Sequence, residues 1–427
     1  SFKHFVEALG LWMRSCRAKE EEVYFWVDAF VVDQNDSETL PQKWWSTRFM
    51  QGIQRIGNTV LVLDDWRRPL CLQRAWVLWE IYCTIVCGSR LQLALHPAMQ
   101  TDFIETLGTS FDAVQTALSA LTLSDTKAYR AEDQEMITGE IKKSIGFTSL
   151  NEMVTGQLQQ LFLEMAKRCL EEKRQKETTT GDATLRQQRF MLQQNIATFV
   201  RERGNLSESE EGLRSLHDEL VDTLGEKHPM SLSCYNQLAV TLQKSGKTEE
   251  ALKVHETCLH FRRLTVGEDH VDTVQSLANV ALTRSEIRPM TSSLWQTARK
   301  SLMEAMEKQE KVLGFRDART LLTVSRLGKL LSAALDVTPV LMKEATLLHD
   351  RACDELEKGN LHMKHPIRLT ALENQAQHKL RLSASSGDAT LLQEAAEQLR
   401  LIYQHRTETI GLGHPDTART RRLLKEA

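Results

Sequence analysis

Two groups of side chains in this chain could do chemistry. The first is a single carboxylate: from Ala75 to Ser89, Glu80 is the only charged residue, and Trp76, Trp79, Ile81 and Tyr82 flank it. A carboxylate on a mostly buried helix is costly unless something uses or pairs it, so Glu80 is a candidate for acid or charge-stabilising work. The alternative is a structural pair with Arg74 or Arg67, or a place on the exposed edge. The second group is a ladder. Asn195, Gln237, Asn279, Arg326 and Asn374 each stand two residues before a small residue that recurs along the second half of the chain. Four of the five are amides, which both donate and accept hydrogen bonds, as capture of an extended peptide backbone requires. The alternative is that they bond neighbouring turns or face water. Other motifs fail on spacing. Ser245-Gly246-Lys247-Thr248 imitates the end of a phosphate-binding loop, but Thr241 stands where a glycine is needed. His255 and His260 are five apart, so on a helix they diverge by about 140° and cannot share a metal. The eight cysteines never form C-x-x-C, so no metal site is expected.

The elements that position these groups differ between the two halves. From Glu22, the run Val23 to Val32 is β-branched and aromatic and predicts a buried strand, closed by Asp33-Gln34-Asn35-Asp36. A helix is expected from Trp44 to Ile56, a second buried strand over Thr59 to Leu63, a helix from Leu72 to Val86, and a third strand near Leu91 to Leu95. Alternating strands and helices predict a parallel sheet covered by helices. Ligands of such sheets bind beyond the carboxyl ends of the strands, here Asp33 to Asp36 and Asp64-Asp65-Trp66. Residues 97 to about 171 read as helices that complete this module and join it rigidly to the array, and the polar stretch Lys173 to Asp182 as a mobile segment within the array.

The second half repeats. Gly225-Glu226-Lys227-His228-Pro229 recurs as Gly267-Glu268-Asp269-His270, Gly314-Phe315-Arg316-Asp317, Lys364-His365-Pro366 and Gly411-Leu412-Gly413-His414-Pro415, at steps of 42, 47, 48 and 49 residues. Small residues recur inside each unit: Ala239, Ala251 and Cys258, then Ala281, Ala298 and Ala305, then Gly328, Ala345 and Ala352. The last two of each trio are seven apart and share a helix face, where a larger residue would push a helix pair open. The extra residues of the longer units fall in the turn between helices, where additions cost little. Pairs of helices stacked in this way form a solenoid.

These repeats resemble tetratricopeptide repeats of the kinesin light chain type, which combine a 42-residue unit with an LG-x-x-HPDT-like linker. The resemblance covers about Leu158 to Ala427 and implies a superhelix of five to six helix pairs whose concave face takes an extended peptide, with the ladder residues as its contacts. Thr59 to Leu63 followed by Trp76-Val77-Leu78-Trp79-Glu80-Ile81 resembles the third strand and following helix of a TIR domain, with Val77 where a Cys is usual. Phe25-Trp26-Val27-Asp28-Ala29 through Asp36 is similar to a stretch of the TIR-like fungal heterokaryon-incompatibility domains. That resemblance implies a flavodoxin-like sheet whose first strand is missing from a chain that opens on Ser1, without an initiator Met, and so a fragment or processed chain. It also implies that Glu80 could support cleavage of NAD as a substrate. Trp76 and Trp66, with Asp33, Gln34 and Asp65, would shape the pocket, and the domain would offer a surface for oligomerisation.

Composition bounds the rest. The chain has 427 residues, enough for at least two modules, divided by these patterns into an α/β module over 1–155 and an all-α array over 156–427. The net charge of −3 gives no pull toward nucleic acid. The most apolar stretch, of about 15 residues, contains Glu80 and is too short to span a bilayer. Scattered cysteines in a chain of this size read as reduced thiols in the cytoplasm. The expected function is a signalling scaffold whose array binds a partner and whose α/β module is an adaptor, needing no cofactor. An NAD-cleaving enzyme regulated by the array is the second reading, and a motor-cargo adaptor the third.

Overall fold

Phe2, Phe5, Val6 and Leu9 recur at helical spacing, and the first element is α1 (Phe2–Ser15). The computed structural model describes residues 2–16, 21, 23–27, 45–119, 126–128, 130–359 and 361–427. Its chain divides into two units, residues 1–169 and 170–427.

In the first unit a π-turn (Trp45–Phe49) leads into α2 (Met50–Ile56), which ends at Gly57 in the left-handed conformation, φ 73°. The leucine- and valine-rich run then forms β1 (Asn58–Leu63), and α3 (Ala75–Val86) crosses over to β2 (Arg90–Leu95). The strands are parallel and in register from Asn58 opposite Arg90 to Leu63 opposite Leu95. Helices α4 (Pro97–Thr109), α5 (Phe111–Ser119), α6 (Ala131–Lys143) and α7 (Gly146–Thr180) follow. The core joins Leu63, Leu78, Leu95, Phe103, Leu107 and Phe162, each at most 1% exposed.

One expectation fails here. Val23 to Val27 form no strand, and Tyr24 is 89% exposed. The apolar side chains of this segment instead make ring contacts: Phe25 meets Trp12 at 5.8 Å and Trp26 meets Phe49 at 5.5 Å. Residues 28–32 of the expected strand lie outside the described residues. The sheet of the described residues therefore has two strands.

The second unit is a run of antiparallel helix pairs: α8 (Ala183–Glu202) with α9 (Leu206–Leu224), α10 (Pro229–Lys244) with α11 (Thr248–Thr265), and α12 (Val271–Glu286) with α13 (Ser292–Val312). Then come α14 (Ala318–Ser332) with α15 (Pro339–Lys358), α16 (Pro366–Ser386) with α17 (Ala389–Ile410), and a final α18 (Pro415–Glu426). The recurring small residues sit where the pairs touch: Ala239, Ala251, Cys258, Ala281, Ala298, Ala305, Ala345 and Ala352 are all 0% exposed. Added methylenes at such sites cost about 1–3 kcal/mol each. Gly328 has a stricter reason, because a Cβ there would lie 3.0 Å from His349 Nε2.

The recurrent histidine is the cap of α10, α12, α16 and α18. A residue before proline is held extended, which suits an N-cap. His228 Nδ1 accepts from Met230 N–H (3.2 Å), His270 Nδ1 from Asp272 N–H (3.2 Å), His365 Nδ1 from Ile367 N–H (3.3 Å) and His414 Nδ1 from Asp416 N–H (3.1 Å). Asp317 does the same for Arg319 N–H at 2.8 Å. The sequence assigns the helix start to proline and its followers, whereas the imidazole is the acceptor. The polar stretch from Lys173, expected as a mobile segment of the array, is helical as far as Thr180. Its Glu177 accepts from Arg186 Nε at 2.6 Å and pairs with Arg189, which is 3% exposed and also holds Glu219. A buried guanidinium needs such partners, and they fix the segment.

Candidate functional site

The ladder positions lie on the first helices α8, α10, α12, α14 and α16, and four of the five, Gln237, Asn279, Arg326 and Asn374, bond a neighbouring repeat. Arg201 donates to Gln237 Oε1 at 2.9 Å. Asn279 Nδ2 donates to Asn236 Oδ1 at 2.9 Å, and Asn279 Oδ1 accepts from Gln275 at 3.1 Å. Arg326 donates to Glu286 Oε1 at 2.8 Å, and Asn374 donates to Ser325 Oγ at 3.0 Å. Asn195, Gln237, Asn279 and Arg326 remain partly exposed, while Asn374 is 1% exposed and belongs to the core.

A charged seam runs beside this ladder. Glu202, Lys244 and Glu286 succeed one another at one-repeat steps, and the Lys244–Glu202 contact of 2.9 Å spans 42 residues. Gln243 Nε2 donates to Glu286 Oε2 at 2.6 Å. Burial works to raise the Glu202 carboxyl, but Lys244 and Arg201 prevail and hold it at about 2. At the far end, Glu373, 1% exposed, accepts from Arg419 Nε at 2.9 Å and Thr420 Oγ1 at 2.8 Å and pairs with Arg406. Burial also opposes ionisation of Glu373, and the two guanidinium groups overcome it, so its pKa is lowered. These charges were missed in the sequence, although the one-repeat spacing of Glu202, Lys244 and Glu286 was there to find.

The last helix returns to the first pair. A Cβ on Gly204, in the turn after α8 at φ 85°, would lie 3.2 Å from His414 Cδ2 and 3.5 Å from Pro415 Cδ. Arg419 on α18 likewise lies within electrostatic reach of Glu286 on α12 and Lys329 on α14. The first helices therefore surround a shared polar interior. Outside it, Ser245 to Thr248 is a turn between α10 and α11, with Gly246 at φ 81°, and no strand leads into it. His255 is 0% exposed and bonds Asn236 Oδ1 at 3.2 Å. No group of three metal-ligating side chains occurs among the described residues.

In the first unit Glu80 is partly exposed on α3, between Trp79 and Ile81, each 1% exposed. Its backbone carbonyl accepts from Thr84 Oγ1 at 2.7 Å. Trp66 is 1% exposed, donates through Nε1 to Asp102 Oδ2 at 2.7 Å and packs edge-on against Phe103. Trp76 Nε1 donates to Asp133 Oδ2 at 3.3 Å. Asp65 Oδ1 accepts from the Arg67 backbone N–H at 2.8 Å, and the Arg67 guanidinium pairs with Asp102. Trp66 is thus tied to α4, and Trp76 to α6. Asp33 and Gln34 lie outside the described residues.

Residues 231–272 match the tetratricopeptide repeat family model. That span covers one helix pair and the cap of the next. No curated protein matches the chain. Among solved structures, a kinesin light chain protein of Podosopora anserina with nearly identical TPR-like repeats is 22% identical, over 52% of this chain and 96% of that one, at a TM-score of 0.36. A single-substitution variant of that protein gives the same values. BtubC (BKLC) from P. vanneervenii is 20% identical, over 59% of this chain and 92% of that one, at a TM-score of 0.40. No helix of the described residues is long and apolar enough to cross a membrane.

Proposed function

We propose that this chain is a protein-interaction scaffold whose repeat array takes an extended segment of a partner protein along its first helices. The observation that carries the reading is the in-register ladder of partly exposed polar side chains, Asn195, Gln237, Asn279 and Arg326, one per repeat. Successive repeats present equivalent groups at a regular spacing, which suits a repeating peptide backbone. The bonds that these groups make between repeats hold their side chains in place before a ligand arrives, so less entropy is lost on binding. Asn374, being buried, supports the face from behind. Carriage of cargo for a motor is one special case of such capture. Peptides selected from a displayed random library against the full chain provide the test. Asn279→Ala is expected to weaken a selected peptide about tenfold, the loss of roughly 1.4 kcal/mol for one hydrogen-bonding group, with the thermal midpoint little changed. Equal binding to parent and variant would overturn the assignment of this face.

A second reading concerns the first unit, which would otherwise serve as an adaptor. Glu80 is the one charged residue of a helix buried on both sides, yet it keeps partial access to solvent within a parallel β–α–β unit. A carboxylate so placed can stabilise the positive charge that develops as the bond between ribose and nicotinamide breaks. Nicotinamide release from NAD by the purified protein, abolished in Glu80→Ala, is the result that reading requires. A parent with no release would leave Glu80 structural.

A further inference from the structure

In an open solenoid each repeat touches only its neighbours. Here the turn of the first pair also meets the last helix. Gly204 takes φ 85°, and a Cβ there would lie 3.2 Å from His414 Cδ2, 3.5 Å from Pro415 Cδ and 3.9 Å from His414 Cα. His414 is 5% exposed, and Thr417 and Thr420, on the following turns of α18, are 0% exposed. Arg421 and Arg422 stay exposed, so a face of α18 that carries hydroxyl groups is the one turned inward. From that helix Arg419 reaches Glu373 on α16 at 2.7 Å. It also stands within electrostatic reach of Glu286 on α12 and Lys329 on α14, as Asp416 does of Lys244 on α10. One helix thus faces the first helices of four different pairs.

Those are the helices whose ladder would take a partner segment. Glu286 holds the ladder residue Arg326 at 2.8 Å, and Glu373 adjoins Asn374. We propose that the turn at Gly204 and the start of α18 form an autoinhibitory latch: while they touch, α18 covers the first helices and a partner segment cannot lie along them. The inference rests on peptide capture by that face. The contact is made of parts that separate easily. The apolar core of the first two pairs, with Leu213, Leu238 and Ala251, and that of the last three helices, with Ala376, Leu399 and Leu423, have no residue in common. What joins the ends is a glycine, the edge of an imidazole, a proline ring and charged groups, so parting them exposes little apolar surface. A form open for only a fraction of the time weakens the apparent affinity by that fraction. Partner capture is then set by the latch as well as by the ladder.

The test locks and releases the latch in the full chain. Gly204→Cys combined with His414→Cys brings two thiols within reach of a disulfide, and neither position belongs to the ladder. Each single variant is the control for the native thiols. A peptide selected from a random library against the reduced double variant is expected to bind the oxidised form at least tenfold more weakly, and reductant should restore its binding. Gly204→Gln, which drives a side chain into His414, should bind the same peptide several-fold more tightly than the parent. Its radius of gyration in small-angle scattering should be larger at unchanged helix content. Equal affinity of the oxidised and reduced forms would overturn the latch and leave peptide capture standing. No selected peptide for either form would sink capture, and inhibition with it. A folded double variant in which the disulfide fails to form would show that the two ends do not meet.

Discussion

Lowering the pH from 6.5 to 4.5 is expected to remove about 5 kcal/mol of stability from the repeat array. Two buried histidines set this value. His255, 0% exposed, is pushed down to about 4 by burial and then by Arg262. His349, 1% exposed, is pushed down to about 3 by burial, then by His378, Lys329 and Arg381. In the unfolded chain both titrate near 6.5. Between that value and the folded ones the unfolded state binds more protons, so the contribution of the two histidines is complete above about pH 6.5 and falls as the pH drops. At pH 4.5 each histidine is two units below its unfolded value, about 2.7 kcal/mol apiece. Glu202 and Glu408, each held at about 2, begin to contribute only below 4.5, the unfolded value. The two effects should therefore appear as successive losses. Denaturant midpoints across this range, for the parent and for His349→Phe and His255→Asn, provide the check. A flat profile from 6.5 to 4.5 would show that neither ring is held neutral.

Glu373→Ala should cost about 3–5 kcal/mol and loosen the end of the array. The carboxylate holds Arg406 and Arg419 from two different helices, and Arg406 is itself 3% exposed. Removing one member of a buried pair leaves an uncompensated charge, which costs far more than the pair contributes. Arg406 would keep the Asp416 carbonyl (3.1 Å) and Thr420, so the damage should concentrate in α17 and α18. Hydrogen exchange over residues 389–426 should quicken while α10 and α11 stay protected. This separation is natural in a solenoid, where each repeat contacts mainly its neighbours. Glu373→Gln, which keeps the shape and loses the charge, should fall between parent and alanine.

Much of the fold could be read from the chain because the array is governed by local rules. The spacing of Ala281, Ala298 and Ala305 and the recurrent His-Pro turns are periodic signals, and each marks a helix contact or a helix start. β1, α3 and β2 were legible for a similar reason, as apolar runs of the right length bounded by turn residues. The failures share a different cause. Val23 to Val27 has strand composition, but whether a strand forms depends on a partner strand that composition does not reveal, and the aromatic rings there meet Trp12 and Phe49 instead. Lys173 to Thr180 reads as a mobile polar segment until the buried Arg189 is placed against Glu177. The ladder was visible in its spacing, whereas its bonds from repeat to repeat depend on how far each helix pair rotates on the last. Lys329 gives no signal at all in one dimension. Its neighbours Glu286, Glu373 and Arg419 are 43, 44 and 90 residues away and meet it only because α18 folds back toward α8.

The central claim, that the first helices form the binding face, is tested most directly by backbone amide and side-chain shift mapping of the full chain titrated with a library-selected peptide. Shifts clustered at Gln237, Asn279 and Arg326, on consecutive first helices, are the predicted result. Shifts confined to the second helices α9, α11, α13 and α15, or to the first unit, would contradict it.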